Sequence, residues 1–316
     1  MHPMPHRFPA VVAASLLATA CALPVQPGHP AANPEQHRIA RPGAVSLDAD
    51  DVRAFPVPPA GFADVQPGVA QGAIVEFSYE SGVTGTMRKA SVYLPAGYSP
   101  QRRYPVLYLL HGLAGNHQEW PGYVHAGAIL DNVIASGKAV PMIVVMPNGR
   151  ALPDDRPVPE ERKFSPEHIA GFALFEQDLL DYLIPAVERA YPAVPGRGGR
   201  AIAGLSMGGG QALNFGLGHV DAFAAVAGFS AAPNTRAAAG LSPLLEAGQP
   251  PLQLIYLACG EQDGLIGVSQ EFHRTLRQHK VPHIWHVDGY GHDRDSWAES
   301  LYHFSQLIFR QPVVQS

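Results

Sequence analysis

The sequence predicts an α/β fold in which a mostly parallel central sheet begins with antiparallel strands and carries helices on both faces. Two observations support this prediction. Short apolar runs typical of buried strands alternate with longer stretches of helical periodicity along most of the chain, which is the pattern of a parallel sheet covered by helices. The first two strand candidates, in contrast, have no helix between them, so they can pair as antiparallel neighbours.

Each strand candidate shows either an alternation of apolar and polar residues or a continuous apolar run. Val75, Phe77 and Tyr79 alternate with polar neighbours, as expected of a half-buried strand. The same alternation recurs over 90–94, before Pro95. The remaining strand candidates are residues 106–110, 142–146, 201–203, 223–227, 254–258 and 284–287.

Helical periodicity is found between and after these strands, in residues 126–136, 172–191, 207–217, 268–280 and 296–309. In the second of these segments apolar residues recur every four positions, at Phe175, Leu179, Leu183 and Val187. A proline inside a helix removes a backbone hydrogen bond and clashes with the preceding turn, so Pro185 predicts a kink in this helix.

The chain is predicted to divide into a leader at 1–21, a linker at 22–70 and one folded domain at 71–312. The leader has a weakly basic start, a short apolar run and an A-x-A cleavage signal before Cys21. The apolar run is too short to span a bilayer. We expect an exported protein, either a periplasmic or outer-membrane lipoprotein tethered through Cys21 or a secreted protein, with a retained leader as a third alternative.

The linker prediction rests on composition. Prolines recur among alanine and glycine throughout residues 22–70. Such a segment stays extended and buries no core of its own. We therefore expect it to act as a tether for the folded domain.

Composition also limits the possible partners. The 316 residues carry a net charge of −5 at pH 7, so we predict no nucleic-acid partner. Neither a His-Glu-x-x-His motif nor paired Cys/His spacing occurs in the sequence, so we predict no metal site and no cofactor. With two cysteines there is no disulfide framework, and Cys259 is predicted to be a small core residue. The oligomeric state stays open.

A G-x-S-x-G pattern with Ser206 at its centre follows the strand candidate 201–203 and precedes a helix candidate. In a nucleophile elbow the serine lies on a sharp, strained turn between a strand and a helix. The glycines of the pattern, Gly204 and Gly208, are required because a Cβ at either position would collide with neighbouring backbone. Ser206 is therefore predicted to be a catalytic nucleophile.

A serine hydroxyl needs a general base, which is most often a histidine. His292 is the predicted base, because it follows Gly291 in a loop beyond the strand candidate 284–287. Most of the 15 histidines must have other roles. His286, for example, falls within the strand itself and is expected to be a core or face residue.

The base in turn needs an acid that orients it. Asp263 is the predicted acid because it lies just beyond the strand candidate 254–258, and Glu261 on the same loop remains an alternative. Asp288 and Asp293 are too close to the histidine along the chain to be its usual partner. The resulting order of serine, aspartate and histidine is the order found in α/β-hydrolases.

An oxyanion formed by attack of the serine needs two backbone N–H donors. One donor is predicted at Met207, directly after the nucleophile, and the other at Leu113, in the Gly-rich loop 111–115 after the strand candidate 106–110. His111 in this loop is expected to support the loop structurally rather than to take part in the chemistry.

Several segments resemble the esterase D / feruloyl esterase family of the α/β-hydrolase superfamily, known as carbohydrate esterase family 1. The resemblance runs from near Ala73 to near Phe309 and is closest to the feruloyl esterase domains of bacterial xylanases. Antigen 85 mycolyltransferases, S-formylglutathione hydrolases and enterochelin esterases are more distant relatives. The matching residues are 108–112, 201–211, 230–235, 258–260 with Asp263, and Gly291-His292 with Trp297.

The resemblance implies an α/β-hydrolase catalytic domain with Ser206, Asp263 and His292 as its triad. It also implies backbone oxyanion donors at the positions of Leu113 and Met207. The expected activity is that of a serine carboxylic-ester hydrolase, without a cofactor, acting on hydroxycinnamoyl or related carbohydrate esters.

Three questions stay open at this level. Residues 149–165, which we call the 149–165 segment, are Pro-rich and charged and match no family motif, so the acyl-group preference is open. Trp297 is either part of the substrate pocket or a core residue. The alternative functions are an acyltransferase of the antigen 85 type, an esterase for siderophore or simple aryl or short-chain esters, and a non-catalytic binding protein.

Overall fold

The computed structural model describes residues 45–236 and 251–310. The strands are β1 (Ala73–Ser81), β2 (Thr86–Leu94), β3 (Val106–Leu110), β4 (Ile143–Pro147), β5 (Arg200–Leu205), β6 (Ala225–Phe229), β7 (Leu254–Gly260) and β8 (Ile284–Asp288). They form one sheet in the order β1-β2-β4-β3-β5-β6-β7-β8. The pairs β1–β2 and β2–β4 are antiparallel and the other pairs are parallel. The predicted mostly parallel sheet with antiparallel N-terminal strands is confirmed.

The helices follow the predicted segments, with ends shifted by a few residues in most cases. They are α1 (Ala126–Ala135), α2 (Pro166–Asp178), α3 (Ile184–Ala190), α4 (Met207–Gly218), α5 (Ile266–Gln278) and α6 (Arg294–Leu307). π-Helical turns occur at Glu119–Val124 and Leu179–Leu183. Among the described residues, no helix combines the length and the apolar character that a membrane span requires.

The single helix predicted for residues 172–191 is two α-helices joined by a π-helical turn. Helix α2 begins earlier than predicted, at Pro166, because Ser165 caps it by accepting the His168 N–H at 3.3 Å. Pro185 lies in the first turn of α3. Because proline has no N–H and its ring crowds the preceding turn, the helical hydrogen bonding widens to a π-helical turn at Leu179–Leu183, just before Pro185.

The core consists of two layers, one on each face of the sheet. In β3, Val106, Tyr108 and Leu110 face a layer formed with α2, α3, α4 and α5. Leu107 and Leu109 face the opposite layer, formed with α1 and α6. All five side chains are fully buried, so the continuous apolar run in the sequence reflects a strand covered on both faces.

Residues 45–70 belong to the same compact unit as the sheet, which differs from the extended tether predicted for 22–70. The Arg53 guanidinium donates to a Glu299 carboxylate oxygen at 2.5 Å. The Phe55 ring stacks on His303 with ring centroids 4.9 Å apart. Proline content therefore did not prevent packing, because a few charged and aromatic residues in this stretch find partners near α6.

The predicted leader at 1–21, with Cys21, lies outside the described residues. The same is true of the predicted linker as far as residue 44 and of residues 311–312. For these parts of the chain the sequence-based expectations stay predictions.

Candidate active site

Ser206 lies on a sharp turn between β5 and α4, with φ +52° and ψ −119°. This positive φ is strained for a residue with a side chain. A Cβ at Gly204 would lie 2.2 Å from the Gly208 carbonyl oxygen, and one at Gly208 would lie 2.5 Å from the Leu110 and His111 carbonyl oxygens. The structure therefore gives the predicted reason for both glycines: at either position any side chain would displace backbone.

The loops after β7 and β8 bring Asp263 and His292 to Ser206. The Nε2 atom of His292 is 2.9 Å from the Ser206 Oγ, and its Nδ1 is 2.8 Å from the Asp263 Oδ2. An ionised carboxylate can only accept, so Nδ1 carries the proton and Nε2 can accept the serine hydroxyl proton. Asp263 is fully buried, whereas the His292 side chain is 31% exposed.

The other acidic candidates lie in other contacts. Glu261 is exposed, and its backbone N–H donates to the Asp288 carbonyl at 2.9 Å. The Asp288 carboxylate accepts the Ser296 hydroxyl at 2.7 Å. Asp293 caps α6. Of the four carboxylates weighed from the sequence, the structure places Asp263 against the histidine.

The environment of Asp263 keeps it ionised. Burial by itself would raise the pKa of Asp263, but the hydrogen bond from His292 and the other donors to this carboxylate together outweigh burial and hold this pKa below its ordinary value. The Leu265 N–H also donates to the carboxylate, at 2.7 Å. Beside it, burial raises the pKa of the Cys259 thiol well above its usual range, so Cys259 stays a neutral thiol at the buried end of β7.

The loop 111–115, which we call the oxyanion loop, lies beside the serine. Leu113 and Met207 both line the cavity above Ser206. Within residues 45–236 and 251–310, neither the Leu113 nor the Met207 N–H donates to a protein acceptor. Both amides are therefore available to a ligand, as an oxyanion hole requires.

His111 holds the oxyanion loop from within. Its Nε2 accepts the Gly149 N–H at 2.7 Å, so its Nδ1 carries the proton and donates to the Gly112 carbonyl, also at 2.7 Å. Burial lowers the pKa of His111 to about 4, so the ring is neutral near pH 7. Both nitrogens contact backbone groups, which is the supporting role expected for this histidine.

A cavity of about 370 Å³ opens over Ser206 and His292. Its wall is largely apolar and includes Leu113, Phe164, Ile169, Met207, Leu265 and Trp297. A cavity of this size and character suits a flat aromatic or short aliphatic acyl group.

Trp297 fits both interpretations that the sequence left open. It is 7% exposed and belongs to the core layer formed with α6. Its ring also lines the cavity and meets the His292 ring edge to face, with centroids 5.2 Å apart. The same side chain therefore packs the last helix and forms part of the wall next to the base.

Two polar residues near the site, Glu119 and His168, were missed from the sequence. Glu119 lines the cavity and accepts the Gly112 N–H at 2.7 Å, and burial raises the pKa of this carboxyl. His168 donates to the Leu113 carbonyl at 3.0 Å. Neither residue has a sequence signal of its own, because each acts on the oxyanion loop from a π-helical turn or helix whose position is set by the whole fold.

Within the described part of the chain, one cluster has metal-ligand residue types, namely His286, Glu299 and His303. The His286 Nδ1 accepts the Ala54 N–H at 3.0 Å, so the proton is on Nε2, which donates to Glu299 at 3.0 Å. Arg53 binds the same carboxylate. Burial alone would raise the pKa of Glu299, but these donors lower it to about 2. His286, Glu299 and Arg53 thus form a hydrogen-bonded network, whereas the His303 Nε2 lies 3.7 Å from the Glu299 Oε1, and we assign no metal to the cluster.

Comparisons with known proteins agree with this geometry. The model of the family described as "Putative esterase" matches residues 81–306. The endo-1,4-beta-xylanase/feruloyl esterase of Xylanibacter ruminicola is 42% identical over 146 residues, which are 45% of this chain and 19% of that protein. Endo-1,4-beta-xylanase Y of Acetivibrio thermocellus is 40% identical over 77 residues, 24% of this chain and 7% of that protein. The chain thus matches less than a fifth of the length of these relatives.

The fold has solved counterparts. The CE1 ferulic acid esterase AmCE1/Fae1A from Anaeromyces mucronatus, solved with ferulic acid, superposes with a TM-score of 0.71 at 28% identity and covers 80% of this chain and 96% of that chain. S-formylglutathione hydrolase from Staphylococcus aureus, at 20% identity with a TM-score of 0.57, covers 76% of this chain and all of that chain and shares the fold. With its α/β sheet, its serine elbow and a family match over most of its length, the chain belongs to this esterase family.

Proposed function

We propose that the chain is a serine carboxylic-ester hydrolase in which Ser206, His292 and Asp263 form the catalytic triad. The observation that carries this proposal is the continuous hydrogen-bonded line from the Ser206 hydroxyl through His292 to the buried Asp263 carboxylate. It lies at the C-terminal ends of parallel strands, where α/β proteins bind ligands. The amides of Leu113 and Met207, which have no acceptor among the described residues, complete the set of groups that ester cleavage needs.

The mechanism follows from these contacts. The Ser206 Oγ attacks the ester carbonyl carbon while its proton passes to the His292 Nε2, and the N–H groups of Leu113 and Met207 stabilise the oxyanion. Collapse of the tetrahedral intermediate breaks the bond to the alcohol, which leaves with the proton from His292. Water then attacks the acyl-serine with His292 again accepting a proton, and the acid and the free serine are released. Asp263 holds the histidine in the required tautomer throughout.

For the substrate we propose a hydroxycinnamoyl ester, such as a feruloyl ester of a carbohydrate. The support is the apolar cavity next to Ser206 together with the similarity to proteins named as feruloyl and ferulic acid esterases. We expect methyl ferulate or methyl p-coumarate to be cleaved with a higher kcat/KM than an acetyl ester of similar leaving-group pKa. An enzyme that cleaves acetyl and butyryl esters but ignores methyl ferulate would retain the serine mechanism and lose the feruloyl assignment.

The nucleophile is tested by Ser206→Ala. Only a hydroxyl is removed, so the fold should be retained while kcat falls by roughly 10⁴-fold or more on the precedent of other serine hydrolases. A fluorophosphonate probe should label Ser206 in the wild type and leave the variant unlabelled. Ser136→Ala, at the end of α1, serves as the matched control with wild-type activity. A Ser206→Ala protein with about a tenth of the activity or more would exclude the triad.

Acyl transfer of the antigen 85 type would use the same residues, with an alcohol replacing water in the second step. Product analysis with added sugar and lipid alcohols separates the two reactions. Acyl esters that form at the expense of free acid at modest alcohol concentration would favour the transferase. If neither reaction occurs with aryl, acetyl or siderophore esters, the alternative of a non-catalytic binding protein would gain support.

For the placement of the protein we propose export, with lipidation of Cys21 as the means of membrane attachment. The support is the cleavage signal before that cysteine. Cell-derived protein should begin at Cys21, carry a lipid mass there and partition into detergent. Cys21→Ser should move it to the soluble fraction. Clean cleavage before an unmodified Cys21 would retain export and exclude the anchor.

A further inference from the structure

We propose that His168 is a positioning residue that holds the oxyanion loop in its productive conformation, and that Arg150 fixes the tautomer His168 needs for this. The inference rests on the proposed function, because it concerns the donor at Leu113. It assigns to the 149–165 segment and the start of α2 an influence on the chemical step.

Side chains hold successive peptide groups of the oxyanion loop. Glu119 accepts the Gly112 N–H, and His111 donates to the Gly112 carbonyl. His168, from α2, donates through Nε2 to the Leu113 carbonyl at 3.0 Å. In a trans peptide the N–H points away from the C=O of the same peptide group. The carbonyl held by His111 therefore directs the Leu113 N–H, and His168 fixes the next peptide group along the chain.

The tautomer of His168 is set by Arg150. An Arg150 Nη1 lies 3.3 Å from the His168 Nδ1, and a guanidinium can only donate. The His168 Nδ1 therefore accepts, which places the ring proton on Nε2, where it faces the Leu113 carbonyl. Burial and the neighbouring arginine charge lower the pKa of His168, in agreement with a neutral ring.

His168 and Arg150 are both buried, and both contact further groups. Arg150 is 1% exposed, and it donates to the Asn148 side-chain oxygen and to the Arg156 carbonyl, each at 3.3 Å. His168 is 2% exposed and packs edge to face on Phe172, with centroids 5.5 Å apart. Because both side chains are fixed in this way, they can orient the oxyanion loop before substrate arrives, which is what an oxyanion hole requires.

The consequence differs from that of a packing residue. Loss of the Nε2 donor frees the peptide group that follows Leu113. This group and the one that carries the Leu113 N–H meet at the Leu113 Cα, so the N–H loses part of its alignment and the oxyanion loses stabilisation that the uncharged ester never receives. The effect should appear in kcat rather than in KM. A histidine that merely packs α2 would change stability and leave kcat unchanged in the folded protein.

The test compares His168→Leu, which keeps apolar bulk without a donor, with His168→Gln, whose amide nitrogen can reach the position of Nε2. On a p-nitrophenyl ester, His168→Leu should lower kcat about 10-fold with KM within about 2-fold, while His168→Gln stays within about 3-fold of wild type. His219→Leu is the control, because His219 is a histidine paired with Glu176 outside the cavity. It should retain wild-type kinetics.

A second readout covers the possibility that His168→Leu fails to fold. His168→Asn carries the same amide as His168→Gln but is one methylene shorter, so it cannot reach the Leu113 carbonyl. A boronic acid that forms a tetrahedral serine adduct should bind His168→Asn about 10-fold more weakly than His168→Gln, whereas the carboxylic acid product binds both equally.

Wild-type kcat in folded His168→Leu, or equal boronate affinity for the Asn and Gln variants, would overturn the inference. Failure of the proposed function has a different signature. In that case the fluorophosphonate does not label Ser206 in the wild type, whatever residue occupies position 168.

Discussion

The nucleophile elbow at 204–208 and the 149–165 segment both border the proposed active site, but they are held in opposite ways. The elbow is fixed by residues next to Ser206 in the chain and by the strand beside it, through steric exclusion at Gly204 and Gly208. The 149–165 segment has no regular structure beyond one short turn at Glu160–Arg162. Its beginning is fixed instead by buried charges that come from distant parts of the chain.

The main anchor of the 149–165 segment is Arg88 on β2, whose side chain is fully buried. Its guanidinium donates to the Asn148 carbonyl at 2.8 Å, to the Arg150 carbonyl and to the Asp155 carboxylate at 3.2 Å. Its other terminal nitrogen forms a buried ion pair with Asp178 of α2. One arginine therefore ties the start of the segment to the sheet and to the helix that carries His168.

The two regions differ in how far along the chain the residues lie that fix their conformation. A steric requirement such as that of the elbow is met by two glycines within five positions, and any other residue there breaks it. A buried guanidinium needs several acceptors at once, because an uncompensated charge in the interior is costly. Those acceptors come from residues up to 90 positions away. The conformation of the elbow is thus fixed by residues close in sequence, whereas the conformation of the segment is fixed by contacts with distant residues.

The largest expected effect is on the proposed triad, to which the elbow contributes Ser206. Asp263→Asn should leave His292 with the wrong tautomer and lower kcat by ~10⁴-fold, as in the protease precedent, with the fold retained. Glu261→Gln on the same loop is the matched control and should stay close to wild type, because Glu261 is exposed. Steady-state kinetics on a p-nitrophenyl ester measure both variants. The reverse ranking would move the acid to Glu261.

The next largest effect is on the buried charges that hold the 149–165 segment. Arg88→Met should lower the free energy of unfolding by about 3–5 kcal/mol, because it leaves the buried Asp178 carboxylate without its cation. Urea unfolding of the full chain measures the change. The double variant Arg88→Met/Asp178→Leu should recover part of the loss, since both charges are then removed.

Lys89→Met is the control for the arginine, because Lys89 is adjacent in the chain and forms an exposed ion pair with Glu76. Its urea midpoint should equal that of the wild type. Equal midpoints for Arg88→Met and Lys89→Met would contradict the view that buried charge holds the 149–165 segment.

The same division explains what could be predicted from the sequence. The strands and the positions of Ser206, Asp263 and His292 follow from apolar runs and from residues just beyond strand ends, which are local signals. The contacts of Arg88 and His168 could not be predicted, because a single sequence gives no register between β2, α2 and the oxyanion loop. The packing of residues 45–70 was missed for a related reason: proline composition is read locally, whereas the partners near α6 lie more than 200 positions away.

The smallest expected effect is that of a change at Trp297, which both packs the last helix and lines the cavity. Trp297→Phe keeps an aromatic ring beside His292 but reduces the aromatic surface that lines the cavity. It also removes an indole N–H that has no partner among the described residues. We expect kcat/KM for methyl ferulate to fall by about 3-fold to 10-fold, because a flat aromatic acyl group contacts more of this wall than an acetyl group does. The kcat/KM for an acetyl ester should be unchanged. Trp285→Phe is the control, because Trp285 lies on β8 and donates to Asp51 at 2.9 Å, away from the cavity. If both substrates respond equally to Trp297→Phe, the ring acts through the placement of His292 and through core packing, and the acyl group must be recognised by another part of the cavity wall.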